Sequence, residues 1–79
     1  EESAMEPIEY HGYSIVPRPI VRSDGRYTVN VEICRARGGT EHRRVFHADD
    51  GIAYLLHEEA SYEAYNLARR LIDRGAVRL

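Results

Sequence analysis

Residues 26–34, Arg-Tyr-Thr-Val-Asn-Val-Glu-Ile-Cys, decide the fold. Tyr27, Val29, Val31 and Ile33 alternate with Thr28, Asn30, Glu32 and Cys34, and a period of two is the mark of a strand with one buried and one polar face. Turn chemistry bounds this strand on both sides. Upstream, Ser23-Asp24-Gly25-Arg26 reads as a hairpin turn, because Asp-Gly supplies the positive φ that a tight turn needs. Downstream, Ala36 to Thr40, with Gly38-Gly39, reads as a second turn. A third strand is then expected over Glu41–Ala48, with Phe46 and Ala48 on one side and Val45 and His47 on the other.

Working back from the first turn, Glu9 to about Val21 gives the first strand, with Tyr13 and Ile15 two apart on one face. Pro17 and Pro19 remove two backbone donors, so this strand is expected to lie at an edge or to lose its pairing past Val16. Working forward from the third strand, the period becomes helical at His57. Ala60, Ala64, Leu67, Ala68, Leu71 and Ile72 recur three and four apart and form one apolar stripe. Glu58 and Glu59 occupy the first turn, Arg69, Arg70 and Arg74 crowd the last, and Gly75 falls where a left-handed residue ends a helix.

The order is β-β-β-α. The fold class expected is α+β, a three-stranded antiparallel β-meander with one C-terminal amphipathic helix packed on one face. Residues 9–79 form a single small domain. Residues 1–8 are expected to be a disordered N-terminal extension or remnant, with Met5 a candidate natural start. One helix covers one face of the sheet, so Ser14, Val16, Thr28, Asn30, Glu32, Cys34, Val45 and His47 are left on the other. That mixed face, or the edge of strand one or three, is a candidate for dimerisation.

Composition bounds the function. The 79 residues are 43% hydrophobic and 30% charged, with a net charge of −2, as in an ordinary globular domain. No apolar run approaches the roughly 20 residues that span a bilayer. The opening Glu-Glu-Ser-Ala-Met is acidic where a secretory leader is basic. The one cysteine, Cys34, allows no internal disulfide and fits a reducing compartment, so a cytoplasmic location is expected. All 11 basic residues are arginine, a bias that fits a GC-rich bacterial genome as well as a recognition task. Arginines 18, 22, 26, 35, 37, 43 and 44 face only Asp24, Glu32 and Glu41 across residues 11–46, a local excess of positive charge behind an acidic start.

Three segments carry a resemblance. HGYSIVPRP (11–19) resembles the Gly-aromatic-x-Ile-x-Pro-x-Pro opening of small proteobacterial proteins labelled HlyU-like. EHRRVFHAD (41–49) is similar to their His-Arg-aromatic-x-x-Ala-Asp segment, and EEASYEAYNLARRLIDRG (58–75) to their C-terminal helix. The resemblance implies a small β-β-β-α domain. Some members carry a transcriptional-activator label, and no catalytic or binding residues transfer. The connection DGIAYLLH (50–57) is longer and more apolar than the pattern, and a short helical turn around Ile52–Leu56, burying Leu55 or Leu56, would accommodate it.

Chemistry finds few footholds. His47 and Asp49 would share a face, but two ligands are too few for zinc, and Asp49-Asp50-Gly51 lacks a calcium loop's spacing. Those aspartates suit a strand-ending turn, where a carboxylate bonds nearby N–H groups. Cys34 and His47 could meet across strands two and three, with nothing to complete a catalytic set. No Gly-rich phosphate loop is present. No catalytic residue, metal or cofactor is therefore expected. The six tyrosines suit a small core and a protein contact equally: Tyr13 and Tyr27 in the core, Tyr62 and Tyr65 on its margins, Tyr10 and Tyr54 half-exposed. The expectation is a non-catalytic interaction or regulatory module, working through Val16, Thr28, Asn30, Glu32, Val45 and His47, with a protein partner or a second copy and no membrane. The alternative is a nucleic-acid-associated transcriptional regulator using Arg18, Arg22, Arg26, Arg35, Arg37, Arg43 and Arg44 as a rim for phosphates.

Overall fold

A computed structural model describes residues 7–79. It is an α+β fold with antiparallel sheets and one C-terminal helix, but the meander of three strands becomes seven strands in two sheets. These are β1 (Ile8–Tyr10), β2 (Tyr13–Pro17), β3 (Ile20–Val21), β4 (Tyr27–Thr28), β5 (Asn30–Arg37), β6 (Thr40–His47) and β7 (Ala53–Tyr54), followed by α1 (His57–Asp73). One sheet runs β1-β2-β5-β6 and the other β3-β4-β7.

The chain segment 27–37 is the shared spine. On one side it pairs with 14–21 at a constant register, from Ser14 opposite Cys34 to Val21 opposite Tyr27. On the other side it pairs first with β6 and then with β7. The sequence led to the expectation that the two prolines put this strand at an edge or end its pairing past Val16; instead β2 lies between β1 and β5, and pairing continues through Pro17 to Val21. Arg18 N–H donates to the Asn30 carbonyl at 2.8 Å, and Arg22 N–H to the Arg26 carbonyl at 2.7 Å, so even-numbered residues of this strand turn their backbone toward the spine. Pro17 and Pro19 are odd-numbered. Their missing donors would have pointed away from the spine, so no spine-directed donor is missing, and Ile20 and Val21 pair beyond them.

That same outward side carries the strand the sequence reading missed. His11 and Gly12 have φ of 51° and 85°, and this two-residue turn folds β1 back on β2, with Tyr10 opposite Tyr13 and Ile8 opposite Ile15. Strand β1 starts at Ile8, inside the segment expected to be an extension. The Asp24-Gly25 and Gly38-Gly39 turns fall where expected, Gly25 at φ 84° and the glycine pair at 58° and 82°.

The core lies between the four-stranded sheet and α1. Ile15, Val31 and Ile33 are fully buried, and Val29 and Val77 nearly so. The helix answers with Ala60, Ala64 and Ala68, all at zero exposure, so its backbone can approach the sheet closely. Each buried aliphatic side chain contributes about 1.5–3 kcal/mol. The helix ends as the sequence requires. Gly75, at φ 71°, donates to the Ile72 carbonyl and Ala76 to that of Leu71, the paired bonds of a Schellman motif. The tail beyond is irregular, yet it returns Val77 to the core.

The connection 50–57 differs from expectation. Asp50 accepts a bond from Ile52 N–H at 3.0 Å, a turn of the expected kind, but Ala53–Tyr54 then form a strand rather than a helical turn. Leu55 and Leu56 are exposed, not buried.

Candidate interaction face

Pairing fixes which side chains share a face, because residues opposite one another in an antiparallel ladder project to the same side. On the face away from the helix, Val16, Glu32 and Val45 form one row and Asn30 and His47 the next, with Thr28 beyond them. The six residues expected on an interaction face therefore lie together.

At their centre is Glu32, whose residue is 5% exposed although its face of the sheet has no second layer among the described residues. Arg18 Nε donates to Glu32 Oε1 at 2.7 Å and Arg43 Nη1 to Oε2 at 3.0 Å. Both arginines are more than half exposed, so their stems roof the carboxylate while their outer surfaces stay wet. Arg43 also reaches Glu41 at 3.0 Å, and its guanidinium is raised above its ordinary value by that bond and by Glu32. Next to this cluster, Cys34 is buried, and burial followed by the charge of Glu32 pushes its thiol up. Such a thiol is a poor nucleophile.

Two concavities flank the sheet. On the open face, Ile20, Thr28, Asn30, His47 and Ile52 surround a cleft of about 250 Å³. On the helix side, Ile8, Pro17, His57, Ser61, Tyr62 and Tyr65 line a groove of about 270 Å³. Ser61 is buried, and its hydroxyl finds no partner among the described residues.

The cleft contains His47, but the catalytic pairing considered from sequence does not form. Cys34 sits opposite Arg43 and His47 opposite Asn30, which is about 13 Å apart along the strands. His47 Nε2 approaches only Asp49, at 3.6 Å. Among the described residues no three His, Cys, Asp or Glu side chains converge as metal ligands, and no helix is long and apolar enough to cross a membrane.

The seven arginines do not line one rim. Arg18 and Arg43 lie on the open face. Arg35 and Arg44 lie on the helix side, Arg35 bonded to the Tyr13 hydroxyl at 3.0 Å and stacked on its ring, Arg44 over Phe46. Arg22 is bound to Asp24, whose carboxyl is held at about 2 by that bond and by the Arg26 N–H. Arg26 follows in the same turn, and Arg37 at the opposite end donates to the Leu79 carbonyl.

These features define a small two-sheet α+β domain with one open, charged sheet face. No family model matches the chain, and no curated protein or solved structure matches it.

Proposed function

We propose that the protein is a non-catalytic interaction or regulatory module of the bacterial cytoplasm, and that its working surface is the sheet face opposite the helix, which binds a protein partner or a second copy. One observation carries this reading. The face sets a roofed carboxylate between arginines among exposed apolar side chains, Val45 at 60% and Ile20 at 59% exposure. Mixed apolar and arginine-rich surfaces of this kind suit protein contacts. The runner-up, a nucleic-acid-associated regulator in line with the HlyU-like resemblance, has less support. Five of the seven arginines already hold an acceptor within the chain, and they are divided between two faces.

The test is a photo-crosslinking residue at Val45, compared with one at Arg70 on the exposed side of α1, in cells that make the protein. A discrete protein adduct from position 45 and none from 70 is expected. Adducts to nucleic acid, or equal yields from both positions, would overturn the proposal.

A further inference from the structure

The sheet has two edges, and the chain treats them differently. Beyond the short β1, the outer side of the β2–β3 segment is closed to further pairing by Pro17 and Pro19, which present no donor there. The other edge is β6, eight residues without a proline, and nothing among the described residues pairs with its outer side.

The ladder shows which groups that edge offers. The turn at Gly38-Gly39 has two residues with positive φ, so Arg37 and Thr40 form the first hydrogen-bonded pair, and even-numbered residues of β6 bond inward. The bond from Ala48 N–H to the Val29 carbonyl keeps that parity to the end. Glu41, Arg43, Val45 and His47 therefore direct their N–H and C=O groups outward.

The side chains of this edge say what fits. Arg43 is already satisfied by Glu32 and Glu41. On the helix side of the strand, exposed His42 and Arg44 stand two residues apart, and Arg44 makes no ion pair among the described residues. On the open face, Val45 offers a bare aliphatic surface. A second copy fits poorly, since the two near-complete antiparallel registers that join the outward, odd-numbered residues of two β6 strands set either Arg44 against Arg44 or Arg43 against Arg43, and like charges facing each other across strands destabilise the pair.

Resting on the interaction-module reading, we infer that β6 takes up an extended acidic segment of a partner protein as an added strand. Carboxylates two residues apart meet His42 and Arg44, and an apolar residue on the alternate face meets Val45. Main-chain bonds to the four outward residues supply the grip, and the charge sets the choice of partner.

The experiment selects peptides from a random displayed ten-residue library on the whole chain, then titrates the enriched peptide into isotope-labelled protein. Enrichment of alternating Asp or Glu is expected, with shifts concentrated on residues 40–47. Binding should fall at least tenfold for Arg44→Glu and for Val45→Pro, which removes an outward donor and leaves the inward ladder intact. Should Val45→Pro fail to fold, N-methylation at alternate peptide amides replaces it. One alternating set should abolish binding and the other should not. Enriched peptides without acids, equal tolerance of both methylated sets, or no enrichment overturns the inference. Acidic peptides that shift Val16 and Cys34 but not β6 overturn the edge and leave the interaction module standing. A DNA duplex that shifts β6 where no peptide does overturns both.

Discussion

Replacing Glu32 by methionine separates what the arginine roof does for stability from what it does on the surface. The Glu32 side chain is 7% exposed, so its charge has been taken out of water, at a cost of several kcal/mol. Two charge-assisted bonds, at 2.7 and 3.0 Å, offset that cost. Their donors are 58% and 59% exposed, so water screens both pairs and each contributes at the low end of its range. Methionine has nearly the same reach, fills the same space beside Val16 and Val45, and needs no partner. The freed arginines turn outward into water they already touch. Glu32→Met should therefore fall within about 1 kcal/mol of the parent, or exceed it in stability. In a domain of this size that is a shift in melting temperature of no more than about 4–8 °C. Urea unfolding reads it directly, as a small change in midpoint with an unchanged slope. Glu32→Gln keeps the shape but loses the charge, and should be the less stable of the two variants. A loss above about 2 kcal/mol for the methionine variant would refute the reasoning, because it would make the clamp a net source of stability. If the variant is stable, loss of the Val45 crosslink in it assigns the buried carboxylate to recognition.

Ala64→Leu should cost about 3 kcal/mol in urea unfolding, since Ala64 has zero exposure against the sheet and the helix cannot retreat without uncovering Ile15 and Ile33. A variant as stable as the parent would mean that the close approach is not real. Ser61→Ala should gain about 1 kcal/mol, because it removes a buried hydroxyl with no partner among the described residues and improves helix propensity; a loss of stability would reveal a partner for the hydroxyl. Asp24 has a folded-state pKa near 2, below its ordinary 3.8, so its contribution to stability is present above the ordinary value and is lost as pH falls through about 2. A carbon-detected NMR titration of its carboxyl should show that midpoint, and Arg22→Ala should move it upward. An unmoved midpoint would remove the ion pair as the cause.

Much of this architecture was legible because local chemistry and tertiary packing agree. The alternation from Tyr27 to Ile33 puts Val29, Val31 and Ile33 in the core, and the spacing of Ala64 and Ala68 puts the alanine stripe against them. What escaped detection depended on parity. Ile8 and Tyr10 are even-numbered, Tyr13 and Ile15 odd-numbered, and all four lie on the core side. A two-residue turn joins residues three apart and so switches the parity of the buried face. That switch across His11-Gly12 was a readable sign of a hairpin, but a histidine with positive φ is uncommon enough to mislead. Strand β7 had no comparable sign, since its two residues are strand only because the free side of β4 lies beside them. The site followed the same division. Alternation placed the six face residues, whereas the burial of Glu32 depends on arginines 14 positions before it and 11 after it in the chain.

The width of the sheet connects these features. An alanine-faced helix sits close, and it packs over β2, β5, β4 and β7. Strand β6 lies beyond that cover, with every residue but Phe46 exposed. It is held by its ladder to β5, by Phe46 at the margin of the core, and by Arg43 gripping Glu32 across the open face. Burial alone does not call for eight residues there, because Phe46 is the one side chain of β6 packed against the core. A shorter outer strand, or another proline like those on the opposite edge, would have exposed fewer unpaired backbone groups. Full length in β6 has a physical use if its outward N–H and C=O groups are employed, and its charges then restrict which strand may join. On that view the prolines and the charges of β6 do complementary work: beyond β1, Pro17 and Pro19 close one edge to further pairing, and exposed His42 and Arg44 narrow the other to an acidic partner.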